Sequence, residues 1–136
     1  MACPFFFPTE RASGAGWNFP GRLPLGAGFC GTCRAGSCEF KPCEDELREF
    51  CNLGYAAQCA HMPEERRADC VRFAVAKDEG QRIALYYAYE RDHAPVDWGT
   101  VAYDVRTGQW AWSIEDVCVQ RQAECYLAAY LERRPR

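Results

Sequence analysis

Histidine is scarce in this chain of 136 residues, with only His61 and His93, so imidazole acid–base chemistry and nitrogen-rich metal sites have almost nothing to draw on. A Gly-rich phosphate loop and a nucleophile elbow are both missing, which argues against nucleotide-dependent transferases and α/β hydrolases and points away from an enzyme. There is no basic run either. The 16 Lys and Arg are scattered among 19 Asp and Glu for a formal charge of −3, a balance that argues against nucleic acid as the partner. No apolar run could span a bilayer, and the N-terminal patch M-A-C-P-F-F-F-P-T-E-R is broken by two prolines and a Glu-Arg pair before it could serve as a secretory segment. The expected setting is therefore the cytosol, away from membranes. Internal repeats and low-complexity segments are missing too, and the length suits a single domain over 1–136.

Cysteine, by contrast, is abundant. Six of the ten cysteines fall between Cys30 and Cys59. In a secreted chain an even number would suggest a disulfide framework, whereas clustered thiols in a reducing compartment are more often ligands or redox groups. Cys30-x2-Cys33 is the most metal-like local pair, since two thiolates that close together on a tight turn can grip one ion or cluster edge. The gaps beyond it are irregular and supply no second such pair, which excludes a regular zinc ribbon; iron–sulfur sites, however, often gather ligands from distant loops. Cys51 and Cys59 flank the loop N-L-G-Y-A-A-Q, where Gly54 allows a reversal toward a shared ion. His61 could add a nitrogen ligand or serve as a surface or capping group, and His93 is read as structural or solvated. Cys70, Cys118 and Cys125 suit core packing, with Cys125 also a candidate remote ligand.

The chain divides into a cysteine-rich lobe over 1–69 and a regular half over 70–136. Prolines and glycines interrupt residues 1–29, yet Phe5, Phe6, Phe7, Trp17, Phe19, Leu23, Leu25 and Phe29 are too apolar to stay in water; an irregular arm packed across the domain is expected, with Cys3 pinned near the core. Glu44, Asp45 and Glu46 suit a helix N-terminus, with Leu47, Phe50 and Cys51 on one face and Gly54 closing the end. Pro63-Glu64-Glu65 predicts a further helical turn. From Cys70 the period becomes two: Val71, Phe73 and Val75, then Ile83, Leu85, Tyr87 and Tyr89, then after the loop D-H-A-P-V-D Val101, Tyr103 and Val105, then Trp110 and Trp112. This predicts a four-stranded antiparallel meander with Glu90 and Asp104 on its solvent face. Ser113 as N-cap, with Asp116 three residues on, starts a helix over 114–133 covered on two sides, by the sheet and by the arm or lobe. The fold class is α+β: an irregular cysteine-rich lobe packed on an antiparallel meander with a long C-terminal helix.

Two resemblances bear on the cysteines. C-R-A-G-S-C, Cys33 to Cys38, is similar to the cluster loop of plant-type [2Fe–2S] ferredoxins, but that loop continues with a cysteine where this chain has Lys41, and the ferredoxin sheet pattern is missing. The second covers nearly the whole chain. The segments C-P-F-F-F-P-T-E (3–10), R-L-P-L-G (22–26), C-N-L-G-Y-A (51–56), D-C-V-R-F (69–73) and R-Q-A-E-C-Y-L (121–127) resemble those of a bacterial family of small cysteine-rich proteins with no assigned function. In that family the cysteines matching Cys3, Cys33, Cys51, Cys59 and also Cys125 recur, while Cys30, Cys38 and Cys43 belong to this chain. The resemblance implies one four-cysteine site, Cys3, Cys33, Cys51 and Cys59, built from the arm, the Gly-rich loop and the helix-end loop.

Four widely spaced thiolates fit a [4Fe–4S] cluster first and a structural Zn²⁺ second. The expected function is electron transfer or redox sensing with a protein redox partner. Two other classes stay open: a thiol–disulfide protein using Cys30 and Cys33, and an interaction module presenting the aromatic sheet, unless the helix and the arm cover it. A second site formed by Cys30, Cys38 and Cys43 with Cys33 would move the first site's remaining ligand to Cys125.

Overall fold

The computed structural model describes residues 2–12, 23–36, 39–52 and 59–134. Cys38, Trp17, Phe19 and Gly54 lie outside the described residues. The elements follow the order β1 (Phe6–Arg11), β2 (Phe29–Cys33), α1 (Glu44–Glu46) running into a π-helical turn (Leu47–Cys51), β3 (Cys70–Asp78), β4 (Arg82–Arg91), β5 (Ala94–Asp104), β6 (Gln109–Trp110) and α2 (Val117–Arg133). Strands β3 to β6 form the antiparallel meander in sequence order, so the α+β architecture of a meander with a long C-terminal helix is the one the periodicity predicts.

Alternation explains the sheet. Val71 and Phe73 on β3, Ile83, Leu85 and Tyr89 on β4, and Val101 on β5 are buried on one face, where they meet Val119, Ala123 and Leu127 of α2 and Phe6, Leu25 and Phe29 of the cysteine-rich lobe in a continuous core. Each such side chain contributes roughly 1.5–3 kcal/mol by leaving water. Both halves of the chain feed that core.

The local differences from the sequence reading have physical reasons. The arm is not wholly irregular: β1 pairs antiparallel with β2, and Cys33, Gly31 and Phe29 lie opposite Phe6, Pro8 and Arg11. Pro8 is tolerated on this two-stranded ribbon because the strands approach closely at Gly31, where an added Cβ would sit 2.8 Å from Pro8 Cα. The register then slips between Pro8 and Glu10. C-G-T-C is therefore strand rather than tight turn, and Cys30 and Cys33, three residues apart, point to opposite faces.

Asp92 and His93, with φ of 52° and 64°, make a two-residue turn between Arg91 and Ala94, so β5 starts where a loop was expected. Pro63-Glu64-Glu65 forms bends, not a helical turn. Helix α2 starts at Val117 because Asp116, not Ser113, is its N-cap: Asp116 Oδ1 accepts from Cys118 N at 2.9 Å and Val119 N at 3.2 Å. Glu90, expected in solvent, is buried with its carboxylate 3.1 Å from Arg72 Nη2. On the aromatic sheet Trp98 is 61% exposed, and Trp112, just beyond β6, 49%.

Candidate metal centre

Cys3 is held by backbone on three sides. Ala2 exchanges both of its hydrogen bonds with Val71, at 3.0 and 2.8 Å, while Cys3 N donates to Cys51 O at 3.1 Å. The chain then reverses through buried Pro4, and Phe6 N closes the turn on Cys3 O at 3.1 Å. This turn aims the amides of Phe5 and Phe6 at the Cys3 sulfur. Cys33, the last residue of β2, exchanges backbone hydrogen bonds with Phe40 at 2.7 and 3.1 Å, and its sulfur receives the Ala35 amide.

Cys51 closes the π-helical turn. The turn widens because Asn52 N reaches back five residues to Leu47 O at 3.0 Å. Asn52 is fully buried. Its Oδ1 accepts from Phe29 N at 2.9 Å, and its Nδ2 donates to Phe29 O at 2.9 Å and Leu47 O at 2.8 Å. One primary amide thus imitates a rung of sheet along the free edge of β2, tying the strand of Cys33 to the turn of Cys51. Cys59, half-buried, accepts from Met62 N at 3.1 Å.

These four sulfur residues line one cavity, together with Phe5, Phe40, Phe50, Met62, Glu46 and His61 among others; its volume is about 10 Å³, close to what one water needs. Burial, and then the neighbouring Cys33 and Cys59, push the Cys3 thiol up to about 12. Cys51 is raised still further by burial, then by Cys3, Cys33 and Cys59, and burial also raises Cys33. Each thiolate would repel the others in an apolar enclosure. Among the described lining residues the one basic side chain is His61, which is already engaged: Nε2 lies 2.7 Å from Glu46 Oε2, and the ring centre sits 4.5 Å from that of Phe40, tilted by 56°. Glu46 is held below the ordinary carboxylate range first by the Cys43 amide, which donates to its Oε1 at 3.0 Å.

The donor set is of the kind a cationic metal group takes: four sulfurs, amides directed at two of them, and no Lys or Arg among the described lining residues. Among the described residues no three Cys, His, Asp or Glu side chains converge closely enough to hold a single ion.

The other described cysteines lie elsewhere. Cys30 is half-buried on the opposite face of β2, Cys43 is exposed ahead of α1, and Cys125 is buried in the core of α2 with Arg121, Glu124 and Arg11 as its charged neighbours. None of the three lines the cavity. Cys118 Sγ donates to Phe5 O at 3.8 Å and Cys70 Sγ to Glu90 O at 4.0 Å. All nine described cysteines are free thiols.

Two residues that build the site escape the sequence reading, Asn52 and Gln122. Both are amides in otherwise apolar surroundings, beside Cys51 and within the Val119, Ala123, Tyr126 stripe of α2, and that polar intrusion was the available signal. Comparison with family models, with curated proteins and with solved structures finds no match to this chain.

Proposed function

We propose that Cys3, Cys33, Cys51 and Cys59 ligate one [4Fe–4S] cluster and that the protein acts in electron transfer or redox sensing with a protein partner in the cytosol. The observation that supports this most is that four thiols from separate segments line one cavity with no Lys or Arg among its described lining residues. When bound, the cluster would supply one-electron redox chemistry. The chain's part is to hold the sulfurs apart around the cavity, to point the Phe5, Phe6 and Ala35 amides at two of them, and to exclude water with Phe5, Phe40, Phe50 and Met62. Amides directed at sulfur favour the thiolate form that a metal requires. Ligation would also order a lobe with few regular elements, since binding free energy becomes folding free energy.

Protein purified without oxygen should be brown, with iron and acid-labile sulfide in equal amounts. Cys51→Ala and Cys59→Ala should abolish both, while Cys38→Ala and Cys43→Ala should retain them. A colourless chain carrying one zinc would make the site structural, and metal-free protein with paired cysteines would return the thiol–disulfide reading.

A further inference from the structure

Gln122 is fully buried in α2, a position that an apolar side chain would ordinarily occupy. Its Nε2 donates to Cys3 O at 2.7 Å and Phe6 O at 2.8 Å, the two carbonyls at the ends of the Cys3 turn. Among the described residues its Oε1 has no hydrogen-bond partner. The opposite amide orientation would set oxygen against two carbonyl oxygens, so these contacts decide the orientation. An orphaned buried oxygen carries an uncompensated desolvation cost, and the only visible return is the pair of bonds to the turn.

Neighbouring side chains of α2 grip the same arm, Arg121 beyond the turn and Cys118 inside it at Phe5. Arg121 Nε donates to Pro8 O at 2.8 Å, Arg121 Nη2 to Thr9 O at 3.1 Å, and Cys118 Sγ to Phe5 O at 3.8 Å. Among these, Gln122 alone bonds the carbonyl of a candidate ligand. We propose that Gln122 is a positioning residue: it clamps both ends of the Cys3–Phe6 turn, holding the Phe5 and Phe6 amides on the Cys3 sulfur and so tightening the cluster's attachment at Cys3. This rests on the cluster reading above. It extends that reading to a residue more than a hundred positions away in the chain.

The test compares Gln122→Met, which keeps the volume and removes both bonds, with Arg121→Ala, which frees the arm at Pro8 and Thr9 but leaves the Cys3 turn clamped. Iron release to a chelator, the cluster's reduction potential, and amide hydrogen exchange at Phe5 and Phe6 in the metal-free reduced chain are measured on each. Gln122→Met should release iron about tenfold faster or more, shift the potential, and lose protection at Phe5 and Phe6; Arg121→Ala should do none of these. Should Gln122→Met not fold, Gln122→Asn, whose shorter amide cannot span both carbonyls, gives the same reading. Unchanged release and potential in an iron-loaded Gln122 variant, or equal effects from Arg121→Ala, would overturn the positioning role alone. A wild-type chain without iron would overturn the cluster reading and, with it, the ligand that Gln122 positions, whatever the exchange at Phe5 and Phe6 shows.

Discussion

Replacing Asn52 by alanine tests whether the lobe is built around a side chain that imitates a strand. The residue is fully buried and makes three side-chain hydrogen bonds, two to Phe29 and one to Leu47 O. At about 1 kcal/mol net for each bond the loss is about 3 kcal/mol, and the stranded Phe29 N–H and C=O carry it toward about 5 kcal/mol. Leu47 O retains a partner in the Asn52 backbone amide at 3.0 Å, so it adds little. In the metal-free, reduced chain, urea denaturation followed by circular dichroism should show this decrease in full, and melting should fall by roughly 10–17 °C. Asn52→Asp supplies the directional check. Its carboxylate can still accept from Phe29 N but cannot donate to Phe29 O or Leu47 O. At neutral pH it should be at least as damaging as alanine and recover partly in acid, where the protonated carboxyl regains one donor. A loss below about 1 kcal/mol for Asn52→Ala would mean that Phe29 finds other partners and that the ladder-like role is wrong.

Gly31→Ala should open the β1–β2 ribbon, because the new Cβ would meet backbone, with Pro8 Cα at 2.8 Å; a loss of about 2–3 kcal/mol is expected by urea denaturation, and a neutral substitution would refute the close approach. The metal-free chain should also lose stability in alkali. Cys3 ionises near pH 9 when unfolded but only at about 12 when folded, and Cys51 is raised as well. The unfolded chain therefore binds fewer protons across that window; the contribution is fully present below pH 9 and lost as pH rises toward 12. Urea midpoints at pH 7, 9 and 10 should fall in that order, and a flat profile would show that these thiols are not buried.

The regular half was legible because its signals are local. Alternation over Val71–Val75 and Ile83–Tyr89 needs only a buried face to become strand, and the glycine at position 80, with φ of 84°, marks the turn between them. The helix start was misplaced by three residues because Ser113 and Asp116 are both good caps, and the choice lies in which side chain reaches the first free amides. The ribbon was missed for a different reason. Proline argues against strand when it is read alone, and what makes Pro8 acceptable is a glycine on the opposite strand, 23 positions later. Glu90 was put on the wrong side because the register shift between Tyr89 and Glu90 breaks the alternation.

What the sequence by itself determined is chemical inventory and local periodicity: many thiols, few imidazoles, one meander, one long helix. It also carried the choice of Cys3, Cys33, Cys51 and Cys59, by resemblance. Tertiary structure decided which thiols share a cavity. Cys30 and Cys33 are close in sequence yet separated by the two faces of a strand, whereas Cys3 and Cys51 are far apart in sequence yet joined by a 3.1 Å backbone hydrogen bond. Only the folded chain shows that Asn52 and Gln122 hold those segments in place. Sequence spacing controls neither relation, because the direction of a side chain follows its element and proximity across the chain follows the packing of elements against one core.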